Sequence, residues 1–198
     1  MNFEREIGEV YRLKVPFMSV YTSVFLIKTA NANVLIDCAT TDQDVDEVII
    51  PALERAGVKL SDIKYLVLTH DHSDHAGGKS RLLQLNPNLK VVNQVQNYFV
   101  DGLTLCELKG HTLGCIGVFI ESTGTLISGD ALQGAGIGMF PCIPESKTEY
   151  LNSVDKVLND KRIVNILFSH AYEPWYKNGA FGREEVEIMM QDCKVLVR

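Results

Sequence analysis

Six consecutive positions, His70-Asp71-His72-Ser73-Asp74-His75, hold three of the chain's five histidines and two of its aspartates. They follow a compact apolar run, Tyr65–Thr69, and precede Ala76-Gly77-Gly78. Crowded imidazoles and carboxylates are costly to bring together unless a cation sits among them. Imidazole nitrogen suits zinc, copper, iron and nickel, and carboxylate oxygen suits harder ions. A solvated surface loop would account for one such histidine, not for three in this register. With a loop-like backbone, His70 and His72 turn toward a common centre, and Asp74 and His75 supply donors from the next turn.

The other two histidines fall where the same centre needs them. His111 lies in a Gly-rich turn, Gly110–Gly114, after an expected strand Leu103–Leu108. His170 ends an expected strand Ile163–Phe168. Asp130 ends another, Thr125–Ser128. Scaffolds commonly present their sites at strand ends.

The organisation along the chain is interleaved. Strands are expected at Glu9–Val15, Ser23–Thr29, Asn33–Asp37, Tyr65–Thr69, Val91–Val92, Leu103–Leu108, Gly117–Ile120, Thr125–Ser128 and Ile163–Phe168, from β-branched and apolar content. Helical spacing marks Asp42–Ala56, Lys79–Leu85, Glu149–Leu158 and Arg183–Leu196. Pro51 conflicts with the first of these, and Gly57 is placed to cap it. The class is therefore α/β or mixed α+β, and with 198 residues and no low-complexity linker, a single domain over 1–198 is expected.

Charge and composition exclude several classes. The net charge of −6, with no Lys/Arg cluster, leaves no footprint for nucleic acid. No apolar run approaches the roughly 18 residues of a membrane span, so no membrane partner is expected. The start, MNFEREIGEV, has no basic segment leading into an apolar one, so a cytoplasmic location is the default expectation. The five cysteines are odd in number and lack CxxC spacing, which reads as reduced, packed thiols. The sequence does not give the oligomeric state.

Taken together, the motifs resemble the metallo-β-lactamase superfamily. His70, His72, Asp74 and His75 match its His-x-His-x-Asp-His signature, Gly110-His111-Thr112 its Gly-His-Thr, Gly129-Asp130 its Gly-Asp, and His170 its final histidine. Val34-Leu35-Ile36-Asp37 is similar to the family's strand before its first helix. The resemblance implies a four-layer αββα sandwich, two mixed sheets face to face with helices outside, and a dinuclear site at one edge. By carry-over, His70, His72 and His111 would bind one ion, and Asp74, His75 and His170 the other. Asp130 would bridge both with a water-derived hydroxide, and Asp74 would double as the catalytic group that orients the nucleophile or moves its proton. Asp71 occupies the variable position of the signature. Zinc is the default metal, and iron or manganese also fits the donor set.

The resemblance implies a hydrolase using that bridging hydroxide on a small ester, thioester or lactone. The alternatives are an iron-dependent oxygenase or redox protein on the same scaffold, or a phosphodiesterase. The ligand set is similar to that of glyoxalase II, but only about thirty residues follow His170, against that family's helical glutathione-binding region. Quorum-quenching lactonases place a tyrosine three residues after the bridging aspartate, where this chain has Gln133. The candidate substrate-facing residues are Gln133, Met139 and Phe140, in a Gly-rich stretch read as a loop over the site, Gln133–Pro144, together with Tyr172, Trp175 and Tyr176.

Overall fold

A computed structural model describes residues 1–97, 99–134, 144–172, 177–195 and 197. The chain divides into two compact units, Met1–Asn93 and Gln94–Arg198. Each is a mixed β-sheet with its own helices and its own apolar core.

The first unit opens with β1 (Glu4–Ile7), β2 (Val10–Phe17), β3 (Val20–Lys28) and β4 (Asn33–Ile36), a run of antiparallel hairpins. Thr29 closes the β3–β4 turn by bonding Ala32 through both its backbone and its hydroxyl. The chain then needs a crossover, and supplies a helical segment to reach β5 (Ile63–Val67), parallel to β4; β6 (Lys90–Val92) adds in parallel on the far side. The sheet order is β1-β2-β3-β4-β5-β6.

The crossover answers the Pro51 conflict. Helix α1 (Asp42–Asp44), capped by Thr41 and Asp44, runs into a π turn (Val45–Ile49) and then into α2 (Ile50–Arg55). The wider turn lies immediately before Pro51, so the ring fits near the start of α2 and the helix continues. Gly57, at φ +70°, ends it as expected. Val45, Ile49, Ala52 and Leu53 are fully buried against Leu13, Leu26, Leu35 and Leu66 of the sheet. The opposite sheet face carries a buried cation: the Arg12 guanidinium bonds Glu6 at 2.6 Å and Ser23 at 2.7 Å and lies 4.6 Å over the Phe25 ring. Burial pulls its pKa below the ordinary arginine value, and Glu6 opposes that shift. This ion pair helps hold β1, a strand too charged and short to be expected from its sequence.

A single helical turn, α3 (Ser73–Ala76), and α4 (Lys79–Leu85) follow β5. The expected loop at the histidine cluster is thus partly helical, with His72 at the position that starts the turn. The expected span of α4 agrees with the structure.

The second unit has β7 (Leu103–Glu107), β8 (Ile116–Ile120), β9 (Thr125–Ile127), α5 (Lys147–Asn159), β10 (Asn165–Leu167), β11 (Gly179–Phe181) and α6 (Arg183–Val195). Its sheet order is β11-β10-β9-β8-β7, with β9 and β10 parallel and the remaining pairs antiparallel. Tyr150, Val154 and Val157 of α5 and Val186, Met189, Met190 and Cys193 of α6 pack on Phe119, Leu126 and Ile166 of this sheet. Arg183 ties the start of α6 to the carbonyls of Val157, Asp160 and Ile163. β11 was not expected: three residues, Gly-Ala-Phe, carry no local strand signal and are ordered by pairing with β10.

The expected α/β class, two mixed sheets with helices, is borne out. Among the described residues, no helix is long and apolar enough to cross a membrane.

Candidate metal centre

In the first unit the donors stand at the carboxyl ends of two neighbouring parallel strands. Ile36 pairs with Val67, so the residues just beyond β4 and β5 emerge side by side. Asp37 is the first residue past β4. It is fully buried and sits at φ +59°, a left-handed conformation that aspartate tolerates better than most side chains. Its backbone N–H still bonds Val67, while its carboxylate accepts the Thr69 N–H at 2.8 Å, the Thr69 hydroxyl at 2.8 Å, and His75 Nδ1–H at 2.7 Å. Thr69, having donated its proton to Asp37, can accept from His70 Nδ1 at 3.2 Å. One buried carboxylate therefore sets two imidazoles, His75 directly and His70 through a hydroxyl. In both, Nδ1 is engaged by Asp37 or Thr69, so Nε2 is the nitrogen on the side away from them.

The rings are close. The centroids of His70 and His72 are 4.6 Å apart, and those of His70 and His75 are 4.2 Å apart. His75 Nε2 lies 3.3 Å from Asp74 Oδ2, which also accepts a long bond from the Thr22 hydroxyl at 3.4 Å. His70, Asp74 and His75 are buried, while His72 is exposed, as is Asp71. Imidazole nitrogens and a carboxylate oxygen are donors that suit a divalent cation, and His70, His72, Asp74 and His75 each belong to a group that could hold one.

The glycines after the cluster serve packing. The Gly77 N–H bonds Ala39, and the Cys38 N–H bonds His75. A Cβ on Gly77 would lie 1.8 Å from the Thr40 carbonyl oxygen and 2.5 Å from that of Ser73. These are backbone atoms, which cannot give way cheaply. Gly77→Ala is expected to destabilise the chain by about 1–3 kcal/mol or more, shifting α3 and with it Asp74 and His75. Urea unfolding checks the first effect and zinc titration the second; wild-type values in both would contradict the packing argument.

The second unit repeats the construction. Leu167 pairs with Ile127 across parallel β10 and β9, so Asp130 and His170 emerge from neighbouring strand ends. Gly129, at φ +56°, makes the turn that brings Asp130 inward. Asp130 Oδ2 is 3.2 Å from His170 Nε2 and 3.8 Å from His111 Nε2. Both rings again present Nε2 toward a carboxylate.

His111 needs external support because its turn has no regular partner strand. The support comes from the start of α5. The Glu145 and Ser146 N–H groups bond the carbonyls of His111 and Gly110, and the Glu145 carboxylate accepts the Leu113 N–H at 2.7 Å. Gly110, at φ +142°, abuts α5 so closely that a Cβ there would be 2.3 Å from the Tyr150 Cα. Cys115, buried in the same turn, accepts the Thr112 N–H at 3.4 Å and is a packed thiol.

Of the residues expected to face substrate, Gln133 is buried with its amide nitrogen 3.0 Å from His111 Nδ1. Tyr172 donates its hydroxyl to the Gly134 carbonyl at 2.9 Å. Met139, Phe140, Trp175, Tyr176 and most of the Gln133–Pro144 stretch lie outside the described residues. Sequence reasoning missed Asp37 as a site residue. The signal was an aspartate ending a wholly apolar strand, Val34-Leu35-Ile36, where no turn requires one.

The metallo-beta-lactamase superfamily model matches residues 19–100 and 99–170. A hydroxyacylglutathione hydrolase of Vibrio cholerae is 28% identical over 175 residues, covering 76% of this chain and 68% of that protein. A lactamase-like protein of Aspergillus niger is 25% identical over 151 residues, covering 69% of this chain and 45% of its own length. Among solved structures, a metallo-beta-lactamase of Pseudomonas aeruginosa in its mono-zinc form superposes with a TM-score of 0.74 at 17% identity, covering 99% of this chain and 96% of that one. Rubredoxin oxygen:oxidoreductase of Desulfovibrio gigas gives 0.71 at 13% identity, covering 99% of this chain and 61% of that one. The class defined by fold and donors is thus an α/β metalloprotein with the metallo-beta-lactamase fold. The chain belongs to the metallo-beta-lactamase superfamily. Family and relatives together indicate a metal-dependent hydrolase.

Proposed function

We propose that the protein holds a dinuclear metal centre and hydrolyses a small ester, thioester or lactone. In this reading His70, His72 and His111 would hold one ion and Asp74, His75 and His170 the second, with Asp130 contributing to both. The observation that carries the reading is the fixed direction of the rings: Asp37 and Thr69 occupy the Nδ1 side of His75 and His70, which reserves Nε2 for metal. A pair of divalent ions, zinc by default, would lower the pKa of a shared water toward neutrality and polarise a scissile carbonyl.

The chain's own residues supply the rest. Asp74 is a buried carboxylate with one oxygen near His75 and Thr22, placed to orient a nucleophile or hold its proton. Asp37, directly for His75 and through Thr69 for His70, favours the tautomer and ring orientation with hydrogen on Nδ1 and Nε2 as the metal-facing atom. The hydroxyacylglutathione hydrolase relatives favour a thioester within the substrate class.

The test is a substrate panel of thioesters, lactones, simple esters, phosphodiesters and β-lactams, run on protein loaded with zinc, manganese or iron. Turnover of a thioester, ester or lactone that disappears with a chelator and returns with metal is expected. Turnover confined to phosphodiesters or β-lactams would overturn the substrate class.

A further inference from the structure

We propose that Gln133 is the positioning residue for His111, its side-chain amide turning to offer Oε1 to Nδ1–H when Nε2 binds metal. The proposal rests on the metal-binding reading above and extends it to a residue three positions past Asp130.

His75 and His70 are oriented by Asp37, directly and through Thr69. His111 stands in the other unit, and its Nδ1 meets the Gln133 amide at 3.0 Å. A neutral imidazole carries one N–H and one lone pair. If Nε2 is to bind metal, Nδ1 must carry the hydrogen and needs an acceptor. A carboxamide provides one by rotating its terminal torsion, since its oxygen and nitrogen occupy nearly equivalent places. With Nε2 toward Nδ1, the same amide serves the opposite tautomer. Gln133 therefore accommodates both states of His111, whereas a carboxylate would accommodate only one.

The rest of the residue is held still. A single phenol, Tyr150, donates to the Gln133 carbonyl at 2.6 Å and accepts its N–H at 3.1 Å. Tyr172 pins the next carbonyl, that of Gly134, at 2.9 Å. Tyr150 also walls Gly110, the neighbour of His111. The backbone is thus fixed from both sides, and the amide is the part left to turn. Gln133 is 2% exposed, which favours a role acting through His111 over direct contact with substrate.

Two variants and one spectrum test this. Zinc affinity is measured by chelator competition on wild type, Gln133→Met and Gln133→Glu, with thermal unfolding of each metal-free protein alongside. Gln133→Met removes the amide and should loosen one of the two ions by about 10–100-fold. Gln133→Glu restores an acceptor and should bind zinc at least as tightly as wild type. Nitrogen NMR of zinc-loaded wild type should show His111 protonated at Nδ1. Wild-type zinc affinity in Gln133→Met, with only KM raised, would make Gln133 a substrate contact and overturn the proposal. Equal losses in both variants, or an unprotonated His111 Nδ1, would also overturn it. Failure of wild type itself to bind zinc, manganese or iron would instead overturn the metal reading, and this proposal with it.

Discussion

Replacing Asp130 by alanine should slow hydrolysis by at least about 10³-fold and release metal from the protein. The expectation follows from the charge at the strand ends of the second unit. Asp130 is 3% exposed and faces two imidazole nitrogens, His170 Nε2 at 3.2 Å and His111 Nε2 at 3.8 Å. In the proposed centre it is the one group shared by both ions. Losing it would take a carboxylate ligand from the centre and weaken the hold on the metal that would polarise the substrate. Asp130→Asn keeps the shape and removes the charge, so it should fall nearly as far. Metal content and steady-state rates on the same preparations check both, with circular dichroism confirming that the chain is folded. A variant that keeps more than half of the wild-type rate would remove Asp130 from the centre.

Replacing Asp37 by alanine should have the largest effect on stability, and a second effect on metal affinity. Three buried donors converge on its carboxylate: the Thr69 N–H, the Thr69 hydroxyl and His75 Nδ1. Stripping their acceptor strands polar groups in the core, a loss of about 3–5 kcal/mol by analogy with broken buried pairs. The orientation of His75 goes with it, and that of His70 through Thr69, so zinc affinity should drop by about 10–100-fold. Asp37→Asn separates the two effects. Its amide oxygen can still accept from Thr69, but its NH₂ then meets the Nδ1–H of His75, donor against donor. The variant should keep more stability than alanine while losing a similar share of metal affinity. Urea unfolding and chelator competition read the two quantities. Wild-type zinc affinity in both variants would show that Asp37 only builds the fold.

The candidate metal donors stand out in the sequence because their chemistry is conspicuous. His70, His72 and His75 are crowded, and His111, Asp130 and His170 each follow an apolar run that is a strand in the structure. The span of α4, Lys79–Leu85, was legible as well. Other features depend on partners far along the chain. Asp37 is one residue at a strand end, and its role exists only because β5 lies alongside β4 and delivers Thr69 to it. β1 and β11 have too little local preference to be seen, and are held by β2 and β10. The π turn at Val45–Ile49 is a compromise between helical spacing and Pro51, visible in the sequence only as a conflict. Gln133 read as a candidate substrate contact because it follows Asp130; its amide meets His111 through a turn that α5 holds in place. Gly77 and Gly78, which in the sequence simply follow the cluster, lie in close contact with the backbone of Thr40 and Cys38.

The central claim is that this chain is built to hold two divalent ions. The most direct test is metal analysis of the folded, purified protein after loading and removal of excess metal, with hydrolysis of the best thioester, ester or lactone followed on the same samples. The account predicts two ions per chain, with activity lost on chelation and regained in step with metal content. Fewer than one ion per folded chain, or activity unchanged after complete metal removal, would contradict it.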